Sequence, residues 1–273
     1  MDYEKKKQEI YDKFDKLSRT VADLLADYIV QYANKGIFEP NSSLATLEQD
    51  IIKILQNAGY SDASNEYFNT FSEILSTTVK DFSKISEVER ELKQSKLANL
   101  ITDITLDNLK GLGIQDNFIK PLANEIRKRI FSGDTYANFK NYLTDNIKNN
   151  SKLTKYVGQV TIDAFSQYDG ALQKEIKTKF DAKKFKYIGG VIETSRPICY
   201  HLHTTFGNNT ISIDELEKVL DEYCPNGIPS DDYIEINGRR LKKGAGMIEG
   251  TTIDNFDVNR GGYACEHKVR WIV

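Results

Sequence analysis

The sequence predicts a mainly α protein: a helical N-terminal region, residues 1–150, followed by a small α+β C-terminal domain, residues 151–273. Three observations predict it. Apolar residues recur every three or four positions through the first two thirds of the chain, the period of helices with one buried face. Short runs of β-branched and aromatic residues bounded by glycine begin only after about Lys183. Between the two, Leu153, Val157, Val160, Ala164, Tyr168, Leu172 and Ile176 mark one face of a long helix over 151–182, which leads into the second domain.

The elements follow in order. Ile10, Phe14, Leu17, Val21, Leu24 and Tyr28 alternate spacings of four and three, the seam of a helix packed lengthwise on another. Such a seam serves either its own bundle or a partner such as an oligomerisation surface. Gly36 stops that helix, and Ser42 or Ser43 caps the next, which carries Leu47, Ile51, Ile54 and Leu55 to Gly59. Helices follow around Tyr67–Val79, Leu97–Leu109, Leu122–Ile130 and Phe139–Leu143, with Gly111 and Gly113 as a break. In the 151–182 helix Gly170 costs about 1 kcal/mol relative to alanine, which predicts a close neighbour. Phe185–Ile188 reads as a strand, and Ile213–Tyr223 as a short helix capped by Ser212. Tyr233–Ile236, Asn237-Gly238 and Arg239–Leu241 read as a hairpin, since Asn-Gly supplies the positive φ pair of a type I′ turn. Lys268–Val273 alternates as a closing strand, with Trp271 directed to the core.

The balance of 40% apolar and 28% charged residues suits a globular chain of 273 residues with a real core. A net charge of −3 argues against a strongly basic nucleic-acid binder. No apolar stretch reaches the roughly 20 residues a bilayer span needs, and the charged start lacks a signal peptide's apolar core. The expectation is a chain made in a cytosol-like, reducing compartment, where Cys199, Cys224 and Cys265 remain thiols.

The chemistry-bearing residues fall in two patches. The first runs Glu193-Thr194-Ser195-Arg196-Pro197-Ile198-Cys199-Tyr200-His201; the second runs Arg260-Gly261-Gly262-Tyr263-Ala264-Cys265-Glu266-His267. Pro197 presets the first turn of a helix, Arg196 can pin the chain through backbone carbonyls or Glu193, and Gly261-Gly262 allows a close backbone approach. The simplest geometry folds the chain end back so that Lys268–Val273 runs beside Phe185–Ile188, with Cys199, Cys265 and His267 close together.

This layout resembles the C-terminal domain of phage minor head proteins of the MuF-type head-morphogenesis family. Such domains have a Thr-Ser-Arg-Pro-like turn with a cysteine soon after, then a short helix and a closing Gly-Gly-Tyr/Trp-x-Cys-x-His stretch. The resemblance covers about 150–273. It departs at Glu266, where a basic residue is common, and in the long Tyr223–Gly250 insertion. It implies a structural signature of Glu193, Thr194, Ser195, Arg196, Pro197, Cys199, Gly261, Gly262, Tyr263, Cys265 and His267, and no catalytic residue. It also implies a structural virion protein of the phage head, made in the host cytoplasm and present in several copies per particle. Its partners are the portal or other head proteins, and its work is in head assembly and in DNA packaging or ejection. The alternative is an enzyme, a zinc-dependent hydrolase or nuclease, or a toxin-like effector carried in the head.

Two further readings stay open at this point. Cys199, His201, Cys265 and His267 are the right ligand types for zinc, beside a plain packing contact or a disulfide between the two cysteines. Lys183, Lys184, Lys186, Arg239, Arg240, Lys242 and Lys243 form two basic groups suited to packaged DNA or an acidic partner, or simply to a solvated face. Neither a phosphate-binding glycine loop nor a Gly-x-Ser-x-Gly elbow occurs.

Overall fold

The computed structural model describes residues 3–82, 88–149, 151–161, 164–262, 265 and 267–273. The protein is mainly α with a small α+β C-terminal region. Among the described residues, no helix is long and apolar enough to cross a membrane. The chain forms two compact units, each drawn from separate stretches of sequence, where the sequence reading places a single boundary near 150. Of the described residues, one unit comprises those within 3–70 and 103–161, and the other those within 71–102 and 164–273.

The first unit is helical. It contains α1 (Tyr3–Ile29), α2 (Leu47–Asn57), the start of α3 (Tyr60–Asp81) and the end of α5 (Lys96–Lys110). The short α6 (Leu112–Ile114), α7 (Lys120–Phe131), α8 (Tyr136–Leu143) and α9 (Lys152–Thr161) follow. The α1 stripe is covered within this unit, chiefly by α9 and the turn Thr144–Asn149. The stripe drifts from the expected seam: Leu25 and Ile29 are fully buried, whereas Leu24 and Tyr28 are half-buried. A straight helix turns 3.6 residues per turn, so a strict seven-residue repeat walks off its face after three turns. Lys35 and Gly36, both at positive φ, turn the hairpin β1 (Ala33–Asn34) to β2 (Ile37–Phe38) instead of merely ending a helix. Ser42 and Ser43 do not cap α2; they lie in a 3-10 turn, Ser42–Thr46, capped by Asn41, whose side chain accepts from Ser43 N at 2.9 Å, and α2 itself starts after Thr46 with no side-chain cap.

The second unit is built around α10 (Ala164–Lys179). From Ala164 to Gln173 every residue but Gln167 is buried. The rest of α3, then α4 (Val88–Lys93) and the start of α5 also belong to this unit. Phe71 packs edge-on to Phe165, with ring centroids 5.3 Å apart.

The sheet beside α10 has the order β4-β3-β7, all antiparallel: β3 is Lys184–Ile188, β4 Ile211–Ser212 and β7 Lys268–Ile272. All five residues of β3 pair with β7, from Lys184 opposite Ile272 to Ile188 opposite Lys268. The chain end thus closes the domain as expected, and Trp271 is buried against Phe185 at 5.0 Å. Between β3 and β7 lie α11 (Pro197–Phe206), α12 (Ile213–Tyr223), the hairpin β5 (Tyr233–Ile236) to β6 (Arg239–Lys242), and α13 (Phe256–Asn259). Ser212 and Glu215 form a reciprocal capping box on α12. Asn237 and Gly238 take φ of 52° and 73°, the expected primed turn.

Candidate functional site

Closing the sheet with β7 brings the two patches together. Pro197 starts α11 at its first turn, which carries Cys199 inward from one side. Cys265 and His267 stand just before β7 on the other. The sulfurs of Cys199 and Cys265 lie 3.8 Å apart, and Cys265 Sγ is 3.7 Å from His267 Nδ1. The hydroxyl of Tyr187, on the inward face of β3, is 3.4 Å from Cys199 Sγ and 3.5 Å from Cys265 Sγ. The Tyr187 ring stacks on the His267 imidazole, with centroids 4.8 Å apart and planes within 7°. Cys199, Cys265 and His267 are 1%, 4% and 6% exposed, so the cluster is closed to solvent.

Glycines make the space. A Cβ on Gly261 would stand 2.2 Å from Cys199 Sγ, and one on Gly189 would stand 2.6 Å from the His267 ring. Gly262 passes so close to the Gly246 carbonyl that no side chain fits there. The electrostatics of the pair are uneven. The Cys199 thiol beside it holds Cys265 below the ordinary thiol range, helped by His267 and Tyr187 against the cost of burial. Cys199 is pushed up by the same contact and by burial.

His201 is not part of this cluster. It lies on α11, where residues two apart point to nearly opposite faces, and its half-buried ring leans on Tyr223 at 5.2 Å. Tyr263, the remaining aromatic of the second patch, lies outside the described residues. Glu193, Thr194 and Ser195 form an exposed turn, in which Ile192 N donates to Ser195 Oγ at 2.8 Å. That turn is pinned by Arg239, whose Nη1 donates to the Glu193 carbonyl at 2.8 Å, and not by Arg196, whose side chain lies along Gly246. The hairpin reaches back to the turn, a tertiary contact that local sequence cannot express.

The basic residues are largely committed. Lys183 pairs with Asp181, Lys242 with Asp231 and Lys243 with Glu222. Arg240 sits over the Tyr233 ring. Lys184 and Lys186 share the exposed face of β3.

Sequence reasoning missed a second buried cluster, centred on Arg260. Its guanidinium, 1% exposed, donates to the carbonyls of Asp257, His267 and Ser166 and to Asp169 Oδ2. Asp169, fully buried on α10, also accepts from Arg270 at 2.8 Å, and Asp257 Oδ1 accepts from the Trp271 indole at 2.5 Å. Gly170 allows this approach, since a Cβ there would stand 2.1 Å from the Asp257 carbonyl oxygen. The signal available in the sequence was the Asp169-Gly170 pair inside an otherwise regular helix, together with Arg260 immediately before two glycines. Compared with protein-family models, curated proteins and solved structures, the chain matches none.

Proposed function

We propose that the protein is a structural component of a phage virion, a minor head protein of the MuF type. It joins the head at or near the portal vertex, in several copies, and acts in head assembly with the portal or other head proteins as partners. The observation that carries this reading is the meeting of the two patches. The Thr-Ser-Arg-Pro turn with its cysteine, and the Gly-Gly stretch with its Cys-x-His, occur in the family's order and close on each other through β3 and β7. Residues shared for a fold-specifying latch would be expected to meet in this way.

A structural role rather than a catalytic one is favoured by the burial of the cluster, whose Cys199, Cys265 and His267 are each 6% exposed or less. Contact with packaged DNA falls to Lys184 and Lys186, the pair on the open face of β3. The α1 stripe is spent inside its own unit, so attachment to a portal ring falls to other surfaces.

The test is sedimentation of intact heads from cells producing the particle, followed by quantitative mass spectrometry. The expected result is this chain in the head fraction at a constant ratio to the portal protein. A chain that stays in the soluble fraction at every stage of assembly overturns the reading.

A further inference from the structure

Four donor atoms from three separate stretches of chain converge in the closed cluster: Cys199 Sγ on α11, Cys265 Sγ and His267 Nδ1 before β7, and Tyr187 Oη on β3. The separations of Cys265 Sγ from Cys199 Sγ and from His267 Nδ1 match edges of a coordination tetrahedron. Two sulfurs at about 2.3 Å from a tetrahedral zinc stand about 3.8 Å apart, and a sulfur and an imidazole nitrogen about 3.6 Å. The corresponding distances here are 3.8 Å and 3.7 Å, and one ring nitrogen and both sulfurs lie within 4.8 Å of one another. Tyr187 Oη, at 3.4 and 3.5 Å from the sulfurs, faces the remaining side.

A disulfide would use only the two sulfurs and leave the buried imidazole without a role. The other ring nitrogen, His267 Nε2, is buried and has no hydrogen-bond partner among the described residues. Gly261 supplies the open wall, since its missing Cβ would fill the space between Cys199 Sγ, Cys265 Sγ and Tyr187 Oη.

We propose that Cys199, Cys265 and His267 bind one zinc ion, with the Tyr187 oxygen on the fourth side, and that this ion fastens the end of the chain to α11. Two soft sulfurs and an imidazole are a donor set that selects zinc over hard cations such as magnesium or calcium. Binding requires both sulfurs as thiolates, any thiol proton leaving to solvent, and two thiolates against a dication leave the buried site without net charge. Closure to solvent makes the ion structural.

The whole chain, purified without chelator, is assayed for zinc by atomic emission. The chelator-stripped, reduced chain is then titrated with cobalt(II). One equivalent of zinc is expected, together with the intense visible bands of tetrahedral cobalt and a sulfur-to-cobalt charge-transfer band. C265S, C199S and H267Q should lose the cobalt signal and H201Q should keep it, while Y187F should bind roughly 10–100-fold more weakly. Should the cysteine variants fail to fold, the wild-type cobalt spectrum still decides. A reduced wild-type chain that gives no thiolate–cobalt band overturns the proposal. So does a Cys199–Cys265 disulfide found by peptide mapping of protein from reducing cells, or loss of binding in H201Q.

Discussion

Two buried polar clusters flank β7, and they satisfy their chemistry in opposite ways. Around Arg260 the protein is its own partner: one guanidinium serves three carbonyls and a carboxylate, and Asp169 receives a second arginine from β7. Around Cys199 and Cys265 the donors are soft and crowded, and among the described residues one imidazole nitrogen has no hydrogen-bond partner. Buried charge is expensive, and an ion pair is retained only where geometry and further hydrogen bonds offset the loss of water. The arginine cluster meets that condition with groups fixed on α10, α13 and β7. The sulfur cluster is built from a helix start, a strand residue and the loop before β7, and the zinc proposed there would be its partner from outside the chain. On the zinc proposal β7 is fastened twice, once by internal ion pairing and once by converging ligands.

The largest test of this contrast is Arg260→Met. It takes one charged donor from three carbonyls and one arginine from Asp169, and should cost about 3 kcal/mol or more in urea unfolding. A loss under about 1 kcal/mol would mean that the arginine cluster is not the principal internal fastening. The sulfur cluster should be less demanding without metal. In chelator-treated protein, Cys265→Ser should cost on the order of 1–2 kcal/mol, the range for losing a thiol from an apolar site. If the loss in the metal-free state equals that of Arg260→Met, the two clusters are not different in kind.

The smallest effect concerns pH. Burial pushes the Asp257 carboxyl above the ordinary aspartate value of 3.8, against the pull of the Trp271 indole, Lys177 and Arg260. The folded state therefore keeps that proton to higher pH than the unfolded chain. This group's contribution is full below the unfolded value and is lost as pH rises through the folded one. The stability of wild type minus that of Asp257→Asn, from denaturant titrations at a series of pH values, should fall as pH rises from below 3.8 toward neutrality. A difference that stays flat or rises would show that Trp271 and Arg260 already outweigh burial at Asp257.

Much of the site was legible because its markers are local. Pro197 sets a helix start, Asn237-Gly238 a turn and Ser212 a cap wherever they occur, because each acts on neighbouring backbone. The closure of β7 on β3 was legible for a related reason: two alternating runs beside glycine-rich patches have few ways to bury Phe185, Tyr187, Val269 and Trp271 together. The role of His201 was not legible. Its distance from Cys199 in sequence suits a shared strand face, and only the helix that forms there turns it away.

Residues 164–176 separate the two kinds of information most sharply. Their apolar stripe, Ala164, Tyr168, Leu172 and Ile176, determined by itself that a helix would form and which face would enter a core. The opposite positions, Ser166, Asp169 and Gln173, carry the polar residues of a solvent-facing side, yet all three are buried. Tertiary structure alone decided that, by bringing Arg260, Asp257 and Trp271 from about ninety residues downstream onto that face, beside a glycine that admits their backbone. Helix periodicity is a property of neighbours three and four residues apart and is written in the sequence. Whether a polar face meets water or a matching ion depends on what the rest of the chain delivers to it, and no local pattern carries that.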